Sequence, residues 1–88
     1  MHEGHRERMR AQLRQSGMDS LSDVQVLEVL LYHAFARQDT NLLAHALIAR
    51  FGSLAGVFEA PVSELVKVPG IGSGAAELIA LVPQIERR

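Results

Sequence analysis

Val68-Pro69-Gly70-Ile71-Gly72-Ser73-Gly74 lies between two apolar segments of helical period, and it leaves the chain few options. Three glycines and a proline within one short stretch permit a sharp reversal and disfavour a continuous helix or strand. The stretch reads as a tight corner joining two short helices. Gly70 and Gly72 are the positions expected to take positive φ, and Ile71 between them is expected to drop into the groove between the helices. Ser73 is placed as the cap of the second helix. The amides from Gly70 to Gly74 then lie at that helix's positive end, where unpaired N–H groups and the helix dipole favour an anion. A nucleic-acid phosphate is the commonest large anion such a corner meets. Contacts of this kind hold a backbone and carry no base information. The plain alternative is an αα-corner whose glycines do no more than turn the chain.

The remaining sequence has helical period as well, and no window alternates apolar and polar residues as a half-buried strand would. A first helix is predicted over 3–16, with Met9 and Leu13 inward and Gly17 as its stop. Ser22, with Gln25 three residues on, forms a capping box for a second helix running to about Phe35. That helix is apolar nearly all round and is expected at the centre of the core. Asp39 or Thr40 caps a third helix, which Gly52 stops, and Ser53 caps a short fourth one. Pro61 suits the first turn of a fifth. Pro83 is expected to end or kink the sixth. Arg50-Phe51-Gly52-Ser53-Leu54 repeats, weakly, the helix–corner–helix pattern of the later stretch. The predicted fold is all-α: one domain over 1–88 with five or six helices. N-terminal helices fill 1–38, and two helix–corner–helix units in tandem fill 39–88.

Charge and composition bound the partners. A chain of 88 residues buries only about 60–65% of the surface its unfolded form exposes, so good packing is essential. The net charge of −1 excludes strong, diffuse nucleic-acid affinity. Four arginines, Arg6, Arg8, Arg10 and Arg14, nevertheless stand against Glu3 and Glu7 in the first 17 residues. Arg6 and Arg10 are candidates to support a phosphate contact, the alternative being a solvated helix face. No cysteine is present, which fits a reducing, cytoplasmic setting. No signal-peptide pattern or apolar run of about 18 residues points to a membrane.

The sequence offers little chemistry. Gly70-x-Gly72-x-x-Ala75 resembles a dinucleotide fingerprint, but it lacks a preceding strand and the later acidic residue. His2-Glu3-Gly4-His5 is one residue short of a metalloprotease pair, and His33 and His45 sit alone in apolar segments where partial burial is expected. Ser22, Ser53 and Ser73 are occupied as caps, and no nucleophile elbow is present. Tyr32, Phe35, Phe51 and Phe58 are expected in the core, so no base-stacking platform is visible. No catalytic residue, metal site or cofactor is assigned, and the chain is read as a non-enzyme.

Several blocks together resemble one family. Gly4-His5-Arg6-Glu7-Arg8-Met9-Arg10 and the run Leu21 to Leu31 look like the opening of RadC-like (UPF0758) proteins. Arg37-Gln38-Asp39-Thr40, Arg50-Phe51-Gly52-Ser53-Leu54 and Lys67-Val68-Pro69-Gly70-Ile71-Gly72 follow in that family's order. The last two also resemble double helix-hairpin-helix modules of excision endonuclease subunits and bacterial DNA ligases, which implies a tandem helix-hairpin-helix core of the SAM-like, RuvA domain 2-like kind over 39–88. The resemblance implies the N-terminal helical domain of a family named for DNA repair. It also implies a C-terminal JAB/MPN-like metalloprotease domain, which these residues do not contain. In DNA-binding hairpins of this class a Lys or Arg often stands where this chain has Gly74, so binding is expected to be weak. The expected function is sequence-independent contact with the DNA backbone through the amides of Gly70, Ile71, Gly72, Ser73 and Gly74. Gly52 and Ser53 are expected to add a second, weaker contact. The alternative is a docking module for the missing domain, or for a second copy in a homodimer.

Overall fold

The computed structural model describes residues 2–88, with side chains described from Gly4 onward, so the His2–Glu3 part of the metal question lies outside it. Six α-helices and one 3-10 turn make up the regular structure, and no strand occurs among the described residues. The helices are α1 (His2–Ser16), α2 (Asp23–Leu31), α3 (Thr40–Phe51), α4 (Leu54–Glu59), α5 (Val62–Leu65) and α6 (Ser73–Arg87), with the 3-10 turn over Met18–Ser20. None is long and apolar enough to cross a membrane.

Local signals start most of these elements. Ser22 Oγ accepts from the Gln25 amide while the Gln25 side chain accepts from the Ser22 amide, so the capping box is complete. Asp39 Oδ1 accepts from the amides of Asn41 and Leu42 at the start of α3. Ser53 Oγ accepts from the Gly56 amide at the start of α4. Pro61 stands just before the first turn of α5 and serves as its N-cap.

Helices α2 and α3 form the central pair; α4 packs on α3, and α6 closes the other side against α4 and α5. Leu27, Leu31, Leu47, Val57, Leu65 and Ile79 are fully buried where these helices meet. At about 25 cal/mol per Å² of apolar surface removed from water, this shared core is the main term favouring the fold.

Helix α1 packs on α2 and on the 3-10 turn. Its Gln12 side chain donates to the Ser20 carbonyl, and Met9 is buried beneath it. A second tie is polar. Arg6 is only 8% exposed, and it donates to the carbonyls of Phe35 (2.7 Å), Ala36 (3.0 Å) and Gln38 (2.9 Å). Its guanidinium also lies 4.5 Å from the centre of the buried Tyr32 ring. His5 Nε2 donates to Glu28 Oε2 at 2.9 Å, and Asn41 Nδ2 reaches Glu28 Oε1 at 3.4 Å. Burying the Glu28 carboxylate is tolerable because these donors meet it.

Four expectations are corrected. Helix α2 stops at Leu31 instead of Phe35: the chain tightens through Tyr32–Ala34, and Arg6 draws the following carbonyls inward. Helix α6 continues through Pro83 to Arg87, so Pro83 does not end it. The Gln84 side chain donates to the Ala80 carbonyl just past the proline, while residues 84–88 are exposed. Ser73 is the first residue of α6 and does not cap it; the cap is Gly72. His33 and His45 are exposed, because their positions face away from the α2–α3 contact.

Candidate nucleic-acid interface

The second corner begins where the four-residue α5 runs out. The Val68 amide bonds to the Leu65 carbonyl at 3.1 Å, and the Ile71 amide bonds to the Val68 carbonyl at 3.0 Å. Gly70 reverses the chain at φ 91°, a region that favours glycine. A Cβ at Gly70 would also stand 2.8 Å from Leu43 Cδ2, so the corner lies directly on α3. Val68 and Ile71 are both buried, so Ile71 plugs the corner as the sequence implies.

Gly72 departs from expectation. Its φ is −86° with ψ at −178°, extended backbone that any residue can adopt, so it is not needed for the turn. A Cβ at Gly72 or at Gly74 would meet nothing within 4 Å. Gly72, Ser73 and Gly74 are exposed. The Gly72 carbonyl accepts from the Ala76 amide at 3.0 Å, but the amides of Gly72, Ser73, Gly74 and Ala75 donate to no acceptor among the described residues. Ala75 is buried, so the exposed part of this run is Gly72 to Gly74; it opens a 15-residue helix whose dipole stands behind it.

The first corner resembles the second in backbone but not in opportunity. Gly52 adopts φ 89° and its amide bonds to the Ile48 carbonyl at 2.7 Å. The Ser53 hydroxyl is occupied as the cap of α4, a helix of only six residues. Gly56 was not singled out from the sequence, yet a Cβ there would overlap the Phe51 carbonyl oxygen. The only local signal for it is a glycine inside a helical pattern.

The expected basic support is not where the sequence placed it. Arg6 is turned inward to three carbonyls, so it is withdrawn from any phosphate contact. Arg10 is exposed but belongs to α1, its guanidinium 5.4 Å from the Tyr32 ring centre. Other cations stand beside the corners. Arg50, two residues before Gly52, reaches Glu64 Oε1 at 3.4 Å, and Lys67, three before Gly70, reaches Glu64 Oε2 at 2.9 Å. The Lys67 ammonium, with help from Arg50, holds the Glu64 carboxyl below its ordinary value. Looking only after each corner for a cation, where Gly74 stands, misses this pair.

No group of three or more His, Asp or Glu side chains is placed to hold a metal among the described residues. The family described as UPF0758 N-terminal matches residues 2–82. No solved structure matches the chain.

Proposed function

The chain belongs to the UPF0758 N-terminal family, and from that premise we propose that it is a sequence-independent contact module for the DNA backbone, built as a tandem helix-hairpin-helix core. One observation carries the reading: the unpaired amides of Gly72, Ser73, Gly74 and Ala75 at the start of α6, with no side chain over the two glycines. The plugged corner of Gly70 and Ile71 holds them in place. Gly52 and Ser53 offer a lesser contact, because α4 is short and the Ser53 hydroxyl is already bonded. Binding, not catalysis, is the role assigned, in a cytoplasmic protein whose further domain is brought to DNA.

Fluorescence anisotropy with duplex and branched DNA tests this reading. Weak binding that fades with salt is expected. Gly72→Val should reduce affinity by about tenfold or more, the cost of losing one or two amide–phosphate bonds. Its backbone conformation accepts a β-branched residue, so the fold should survive. Absence of binding at low salt sinks the proposal.

A second reading has its own observation. A 390 Å³ groove is lined by Leu30, Phe58 and Val82 with Met18, which is 58% exposed. An apolar groove of this kind favours docking to another domain or to a second copy. Association that persists in high salt, measured by sedimentation, would support it.

A further inference from the structure

We infer that Glu64 is an internal counter-ion, holding Arg50 and Lys67 together until a backbone phosphodiester displaces it. The inference rests on the DNA-contact reading and names the side chains that set its affinity. The two cations come from different helix–corner–helix units, 17 positions apart in the chain, and one carboxylate bridges them. Arg50 closes α3 just before the first corner, and Lys67 follows α5 just before the second. Together they supply the positive charge that Gly74 does not.

The bridge is built to be exchanged. The side chains of Arg50, Glu64 and Lys67 are 44%, 41% and 59% exposed, and water screens ion pairs of such exposure so that they hold only weakly. A phosphodiester presents two non-bridging oxygens that share one negative charge to the same donors, and the planar Arg50 guanidinium can meet both at once. One carboxylate against two cations also leaves the cluster with a net positive charge. Glu64 stays ionised at neutral pH, since Lys67 holds its carboxyl below the ordinary value. Any phosphate that binds must therefore compete with it. Glu64 thus lowers the affinity of a module whose uncharged amide contacts are weak by themselves.

A double-mutant cycle on the whole chain, read by anisotropy with a duplex, tests this. Glu64→Gln should bind about three- to tenfold more tightly at about 50 mM salt, with a log–log salt slope steeper by up to about one unit. Arg50→Met with Lys67→Met should weaken binding and flatten the slope. In that double-Met background Glu64→Gln should bring no gain. An equal gain in both backgrounds would overturn the inference, because Glu64 would then act as a general repulsive charge. Unchanged or weaker binding by Glu64→Gln would also overturn it, showing that Glu64 positions the cations for phosphate. If the unaltered chain and Glu64→Gln both fail to bind at low salt, the DNA reading itself fails and takes this inference with it. Circular dichroism and a denaturation midpoint for each variant separate a binding change from unfolding, and Glu64→Ala provides a second removal of the charge.

Discussion

Two glycines near the corners have opposite structural standing. Gly56 sits where a Cβ would overlap the Phe51 carbonyl oxygen, so its lack of a side chain lets α4 fold back against the end of α3. Gly72 faces open space in an ordinary extended conformation. Gly56→Ala should therefore destabilise the protein by about 1–3 kcal/mol, the range for forced overpacking with backbone shift. Gly72→Ala should cost no more than about 1 kcal/mol, the loss of a glycine N-cap to the poorer alanine with no clash added. Urea denaturation of the two variants checks the contrast. Equal effects would mean that the α3–α4 corner can relax around a methyl group. The contrast separates the two roles a glycine has here, since Gly56 serves packing and Gly72 leaves amides accessible.

At the scale of elements, α1 depends on a polar anchor as much as on burial. It packs on α2 and the 3-10 turn, and Arg6 fixes it to the loop beyond α2 through three carbonyls. A planar guanidinium can serve three acceptors in one plane, whereas an ammonium on a flexible stem cannot. Arg6→Ala should cost about 1.5–3 kcal/mol, because three part-buried carbonyls lose a charged donor. Arg6→Lys should recover part of that loss. Hydrogen exchange should show α1 losing protection first in both variants, as expected of an element joined to the rest through one face. Uniform loss across α1 to α6 would show instead that the anchor is part of one cooperative unit. The same anchor explains why α2 ends early: its stop is set by a residue 25 positions before Leu31, which helical period cannot register.

For the molecule as a whole, the radius of gyration is 12.6 Å, close to the ~12 Å expected of a compact chain of this length. Its single tyrosine reports on that compactness, because Tyr32 lies where α1, α2 and the following loop converge. Burial raises the Tyr32 pKa above 10.0, and the Glu28 charge adds to this, while Arg6 and Arg10 oppose it. The folded state then holds the phenolic proton more tightly than the unfolded state does. This contribution to stability is intact below the unfolded pKa and is lost as pH rises through the folded one. Phenolate absorbance should therefore appear above pH 10 in the folded protein and shift downward in denaturant. Identical titrations in both states would contradict the burial of the ring.

Much of this architecture is legible in the sequence because its causes are short-range. The capping box at Ser22 and Gln25, the caps at Asp39 and Ser53, and the reversals at Gly52 and Gly70 act within one helical turn. So does the apolar period that makes every element a helix. By itself the sequence therefore determined an all-α chain with two glycine corners, and of the amides it singled out, those of Gly72, Ser73 and Gly74 lie exposed at the start of α6 while that of Ile71 is bonded to the Val68 carbonyl. Tertiary structure decided the rest. It turned Arg6 inward, carried α6 through Pro83, set Gly56 against the Phe51 carbonyl and joined Arg50 to Lys67 through Glu64. These outcomes depend on which faces meet and which charges are left to pair, and burial and ion pairing act between residues that only the folded chain brings together.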